Sequence, residues 1–102
     1  MLKVRVIVSG GDSESRFSRT YEVPKEEVLK LLRLWRECNV LTGKEYKEAL
    51  VTLENTGVLW CAVMPKTPSD YEIPISLQDW SIIAALSQGM SLEEALKTNP
   101  FN

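Results

Sequence analysis

Alternation of apolar and polar residues at the start of the chain is the feature that most restricts its fold. Every even position from 2 to 8 is leucine or valine, and the polar stretch 9–15 is followed by a second alternating run from 16 to 23. A period of two is typical of β-strands with one buried face, and a polar stretch rich in glycine and serine between two such runs favours a turn. The segment 1–23 is therefore predicted to form a β-hairpin.

Helical periodicity replaces the alternation in the segment 24–57. The first apolar face comprises Val28, Leu31, Leu32, Trp35 and Cys38. Residues 43–54 admit two interpretations. Tyr46, Ala49, Leu50 and Leu53 have the spacing of one helix face, behind Thr42 and Glu45 at the spacing of a capping box. Runs 46–54 and 58–64 could instead pair as a second hairpin, because 50–53 has strand propensity. The helix is favoured.

The run 58–64 is apolar without alternation, which predicts a strand covered on both faces and helices on both sides of the sheet. The next segment, 65–75, contains three prolines and is predicted to cross the surface in an extended conformation, because proline lacks the N–H that a helix or a central strand requires. Trp35, Trp60 and Trp80 fall in three separate elements, so a shared core is the preferred interpretation of all three.

The last segment, 76–98, is predicted to be a helix pair. Ser76 and Ser91 begin capping-box spacings, and Gly89 ends the first helix. The stretch GMSLEEAL from residue 89 resembles the turn and second helix of many small bacterial regulators and antitoxins, and that resemblance implies DNA binding. Charge opposes it, because Glu93 and Glu94 occupy the early exposed positions, where phosphate groups would be repelled.

No catalytic or cofactor signature stands out in the 102 residues. The chain has no histidine, and its two cysteines, Cys38 and Cys61, lie in apolar contexts that predict buried thiols. Gly10 and Gly11 follow a strand, but no Lys-Ser or Lys-Thr of a phosphate loop comes after them. We therefore expect no enzyme activity, no metal and no cofactor.

Two parts of the sequence are candidate interaction surfaces. Four basic residues lie on the predicted hairpin, and two residues of the proline-rich crossing, one aromatic and one aliphatic, are hard to bury there. The candidates are Lys3, Arg5, Arg16, Arg19, Tyr71 and Ile73. Residues 52–102 carry two lysines against six acidic residues, a balance of −4, so an anionic partner would have to contact the first half.

These patterns together predict one small α+β domain over residues 1–102, ordered ββααβαα, with a short β-sheet flanked by helices and a C-terminal helix pair. The expected function is a non-enzymatic protein-interaction module: an adaptor, inhibitor or regulator that presents a surface patch to another protein. The alternative is a DNA-binding regulator of antitoxin type. No run of about 18 apolar residues occurs, so a soluble cytoplasmic protein is expected, and a homodimer would supplement its small core.

Overall fold

The computed structural model describes residues 2–11, 16–63 and 71–98 of the chain. Its strands and helices are β1 (Lys3–Gly10), β2 (Phe17–Pro24), α1 (Lys25–Glu37), α2 (Gly43–Thr56), β3 (Val58–Val63), β4 (Ile73–Ile75), α3 (Leu77–Ser87) and α4 (Leu92–Thr98). The predicted α+β class and the order of elements are confirmed. One short strand, β4, is added at the end of the proline-rich crossing, whose residues 65–70 lie outside the described part.

The four strands form one mixed sheet in the order β2-β1-β3-β4. Strands β1 and β2 pair antiparallel over eight residues, as expected of a hairpin. The chain leaves β2 at the end of the sheet where β1 begins. The helices α1 and α2 bring it back to that same end, so β3 pairs parallel with β1. Strand β3 therefore has an interior position, and β4 pairs parallel with its last three residues.

One face of the sheet packs against the helices, and the other is open except near Ser9 and Ala62, which are buried. Every second residue of β1 and β3 enters one hydrophobic core, to which all four helices contribute. The members from these two strands are Val4, Val6, Val8, Leu59, Cys61 and Val63. The prediction of helices on both sides of the sheet is wrong. Burial in β3 alternates from Val58 to Cys61, but Ala62 is buried as well, so the end of the strand is covered on both faces as predicted. The outward residues Val58, Trp60 and Ala62 are all apolar, which hid the alternation from the sequence pattern.

Residues 43–56 form a helix, which decides between the two interpretations of that segment. Thr42 Oγ1 accepts the Glu45 backbone N–H at 3.1 Å, and the Glu45 carboxylate accepts the Thr42 N–H at 2.9 Å, so the capping box is complete. Gly57 ends the helix with a φ of 68°, a left-handed conformation that glycine adopts without steric cost.

The helix α3 buries only part of the apolar stripe that its sequence predicts over Leu77, Trp80, Ile83 and Ala84. Ile83 is buried as predicted and Trp80 packs against the core, but Leu77 is 49% exposed, and Ile82 and Leu86 are buried instead. Apolar residues occur nearly all round this helix, so periodicity alone does not select a face. The shorter helix α4 buries Leu92 and Ala95.

Two further predictions about the core need correction. Cys61 is buried, but Cys38 is exposed, because α1 ends at Glu37 and Leu41 takes the following core position instead. Trp35 is buried and Trp80 packs against the core, whereas Trp60 lies on the open face and is 37% exposed. None of the described helices has the length and apolar character needed to cross a membrane.

Candidate functional site

The basic residues of the hairpin do not share one surface. Lys3 and Arg5 are exposed on the open face of the sheet, and Arg5 lies opposite Glu22 of β2. Arg19 lies opposite Val8, so it belongs to the helix side of the sheet, and it is exposed on the edge strand β2. These charges are therefore divided between two faces.

Arg16 has a different environment, because it binds a buried carboxylate. Its Nη2 donates to Oε1 of Glu72 at 2.9 Å and to Oε2 at 2.8 Å. The Ser9 hydroxyl donates to Oε2 at 2.7 Å. Glu72 is only 8% exposed, so most of its hydration is replaced by these bonds. Arg16 thus joins the hairpin to the segment just before β4, which gives it a role in the fold.

Tyr71 and Ile73 flank Glu72 and differ in exposure. The prediction that Ile73 is hard to bury is wrong, because its side chain belongs to the core, whereas Tyr71 is 63% exposed. The Tyr71 ring contacts the ring of Trp60 edge to face, with centroids 5.5 Å apart. This arrangement is the favoured geometry for two aromatic rings, because the positive edge of one meets the negative face of the other. The large aromatic side chains of Trp60 and Tyr71 therefore lie side by side at the surface.

The aromatic pair forms part of the wall of an open groove of about 480 Å³. We call it the aromatic groove. One wall is the α2 surface from Glu45 to Thr52, and the other comprises Leu59, Trp60, Tyr71, Glu72 and Ile73. Val51, in the α2 wall, is also an exposed large apolar residue. The groove opens here because β4 pairs only with Cys61–Val63, and no other described strand borders Trp60 on the β4 side.

The charges of the groove lining are mainly acidic. Glu45, Glu48 and Glu72 supply carboxylates, and Lys47 supplies one ammonium group. Glu72 already binds Arg16, and Glu48 lies 4.0 Å from Lys44 in an exposed pair that contributes little. Among the α2 residues that line the groove, two carboxylates therefore stand against one ammonium group.

The N-terminal end of α4, which a DNA-reading helix would need free, is held against α1. The Leu92 backbone N–H donates to Oε2 of Glu27 at 2.7 Å. Lys30 of α1 lies 3.9 Å from the Glu93 carboxylate and 3.5 Å from that of Glu27. The first turn of α4 is thus bound by the Glu27 carboxylate, and its exposed side is acidic.

The described residues offer little for covalent chemistry or metal binding. Burial raises the pKa of the Cys61 thiol well above its ordinary value, and the carboxylates of Asp79 and Glu72 raise it further. A thiol in this environment stays protonated and is a poor nucleophile. Nowhere in the ranges 2–11, 16–63 and 71–98 do three potential metal-ligating side chains cluster.

Sequence reasoning identified Tyr71 but missed its neighbour Trp60. The alternation of side chains along β3 could have located Trp60. If Leu59, Cys61 and Val63 face one way, Trp60 must face the other. The sequence could not show that this second face is open. Comparison of the chain with known protein families, with curated proteins and with solved structures found no match.

Proposed function

We propose that this protein is a non-enzymatic interaction module whose aromatic groove holds a short segment of another protein. The observation that supports it is the edge-to-face contact of Trp60 and Tyr71 at an open groove beside α2. Exposed, adjoining aromatic side chains are typical of the residues that dominate protein-protein binding energy, because they bury much area with few rotatable bonds. The cytoplasmic location expected from the sequence is part of this proposal.

The groove's charge selects the chemistry of the partner segment. Glu45 and Glu48 lie on the α2 wall, and the faces of exposed aromatic rings also attract cations. A lysine or arginine side chain meets both requirements, because its aliphatic stem can lie on the rings while its charged head reaches the carboxylates. The proposed partner segment therefore carries a basic residue beside an apolar one.

A selection from a displayed library of random ten-residue peptides tests the proposal. Enriched peptides are expected to carry lysine or arginine next to an apolar residue. Trp60→Ala and Tyr71→Ala should each weaken their binding at least about tenfold, since hot-spot truncations cost upwards of ~2 kcal/mol. Leu2→Ala is the matched control, because Leu2 is equally apolar and exposed but lies outside the groove. Thermal melts of each variant verify that the fold is retained.

Charge variants of the groove test the partner chemistry separately. Glu45→Gln with Glu48→Gln should weaken the selected peptides, and Lys47→Glu should tighten them, because Lys47 is the one basic residue in the described lining. Peptides that bind Trp60→Ala as well as the wild type would reject the groove as the site. Acidic peptides in the enriched pool would reject the basic partner.

The alternative, a DNA-binding regulator that uses α3 and α4, has less support. The contacts of Glu27 and Lys30 with the first turn of α4 oppose it, and so does the exposed acidity of Glu93 and Glu94. A recognition helix needs donors or apolar groups at these positions, whereas carboxylates repel the phosphate backbone.

A further inference from the structure

The two edges of the sheet are protected to very different degrees. The β4 edge is only three residues long and has Pro74 at its centre, and both features discourage pairing with another strand. The β2 edge is eight residues long, and its register with β1 runs without a bulge from Phe17 to Pro24. No described strand lies beyond it. Its outward backbone N–H and C=O groups can therefore accept a further strand.

An apolar rim borders the β2 edge on the helix side of the sheet. Phe17 is 44% exposed, and its ring lies over Gly10 and stacks on Trp80 of α3 at a centroid distance of 5.5 Å. Trp80 donates its indole N–H to the Tyr21 hydroxyl at 2.8 Å. Leu77 lies one helical turn before Trp80 in α3 and is half exposed. A second copy of the chain that pairs at this edge would bring its own helices towards these residues.

Symmetry restricts how two β2 strands can pair. Two identical strands pair antiparallel about a two-fold axis perpendicular to the sheet, so both helix layers fall on the same side and the residue on the axis faces its own copy. If Arg19 is on the axis, two guanidinium groups oppose each other, which is unfavourable. If Tyr21 is on the axis, Pro24, which lacks an N–H, falls within the paired stretch.

Thr20 on the axis avoids both problems. Phe17 then lies opposite Val23, Ser18 opposite Glu22, Arg19 opposite Tyr21, and Thr20 opposite Thr20. Aromatic residues opposite β-branched ones and threonine opposite threonine are favourable cross-strand pairs, and a guanidinium beside a tyrosine ring gains a cation–π contact. No like charges are opposed, and all seven residues from 17 to 23 take part.

We infer that two copies of this chain form a dimer through antiparallel pairing of their β2 strands with Thr20 on the two-fold axis. The four-stranded sheet of each copy becomes half of a continuous eight-stranded sheet, and the rim of Phe17, Leu77 and Trp80 approaches that of the second copy. This inference does not depend on the proposed function. If both hold, the two aromatic grooves lie at opposite ends of the long sheet, and a partner with two basic segments would bind with avidity.

Sedimentation equilibrium of the full chain gives the first test. From about 1 μM to about 1 mM, where weak specific association becomes measurable, the apparent mass should rise from that of one chain to that of two and level off there. A single-chain mass throughout this range overturns the inference. So does growth beyond two chains, because closed two-fold pairing leaves no further β2 edge.

A matched pair of substitutions tests the register. Thr20→Lys sets two ammonium groups against each other on the axis, whereas Ser18→Lys sets each ammonium opposite Glu22 of the second copy. Both replace a small exposed residue of β2 with lysine, so their effects on the monomer are matched. Thr20→Lys should raise the dimer dissociation constant about fivefold, and Ser18→Lys should lower it by about two- to fivefold per pair.

The directions of the two shifts in the dimer dissociation constant decide the test. Opposite shifts for Thr20→Lys and Ser18→Lys support the pairing centred on Thr20. Equal shifts, no shift, or the reverse order overturn it, and circular dichroism melts of both variants in the monomeric range show whether folding has changed. Peptide binding by the aromatic groove in the monomeric Thr20→Lys variant keeps failure of the dimer distinguishable from failure of the proposed function.

Discussion

Trp35 donates its indole N–H to Oδ1 of Asp79 at 3.0 Å, which joins the largest buried side chain of α1 to the first turn of α3. Asp79 also completes the capping box of α3. Its backbone N–H donates to Ser76 Oγ at 3.1 Å, and its Oδ2 accepts the Ser76 N–H at 3.2 Å. One carboxylate therefore sets the start of a helix and satisfies a polar group from the core.

Because of this double role, Asp79→Ala should destabilise the protein more than removal of the cap alone. We expect Asp79→Ala to cost about 2–3 kcal/mol, since it leaves a buried indole N–H unsatisfied and removes a cap, against about 1 kcal/mol for Ser76→Ala. Urea unfolding of both variants measures the difference. Asp79→Asn retains an acceptor for Trp35 and is the control. Equal losses for Asp79→Ala and Ser76→Ala would contradict the structural role of the indole bond.

The ion pair of Arg16 and Glu72 gives a second prediction. Arg16→Ala leaves a buried carboxylate without its guanidinium, and we expect a loss of about 2 kcal/mol, below the largest values for buried pairs because half of the Arg16 side chain is exposed. Adding Glu72→Gln should recover part of the loss, because it removes the buried charge. The control is Arg5→Ala, an exposed change expected to cost under about 0.5 kcal/mol. Unfolding curves with no recovery in the double variant would argue against this account.

The two cysteines should react very differently with a thiol reagent. Cys38 is exposed and should be modified quickly at mildly alkaline pH, whereas Cys61 is buried and its pKa is raised, so it should react only when the protein opens. Modification of Cys38→Ser and Cys61→Ala variants with an aromatic disulfide reagent, followed by absorbance, separates the two rates. Fast reaction of Cys61 in the folded Cys38→Ser variant would contradict its burial.

The raised pKa of Cys61 also predicts a dependence of stability on pH. Below the ordinary thiol pKa of 9.0, both folded and unfolded chains hold the proton and the thiol has no effect on the slope. Above it, the unfolded chain loses the proton while the folded chain retains it. The unfolding free energy should then fall by up to about 1.4 kcal/mol per pH unit from this group. The difference between wild type and Cys61→Ala isolates it from other groups that titrate there.

Duplex DNA binding provides a direct check on the helix pair. We expect no saturable change in the anisotropy of a labelled duplex at low salt, and none for Glu93→Lys, because α4 begins against Glu27 and Lys30 of α1. A recognition helix would respond to Glu93→Lys with tighter, strongly salt-dependent binding. Such a response would favour the DNA-binding alternative over the interaction module.

Local patterns identified most of the elements, because they depend on residues close in sequence. The hairpin followed from alternation in residues 2–8 and 16–23, and α2 from the Thr42–Glu45 cap together with Gly57 at its end. Among the candidate residues, Tyr71 was correctly expected to be hard to bury. Patterns failed where both sides of an element are apolar. The full buried side of α3 and the exposed side of β3 were identified only from the tertiary structure.

The sequence by itself determined the α+β class, the order of the elements and the caps, since these follow from periodicity and from hydrogen bonds within a few residues. Only the tertiary structure decided that all four helices share one face of the sheet, that Arg16 binds Glu72 across 56 positions of sequence, and that Trp60 meets Tyr71 at an open groove. These relationships depend on which strands become neighbours. That choice arises from burying one common core, and no local pattern records it.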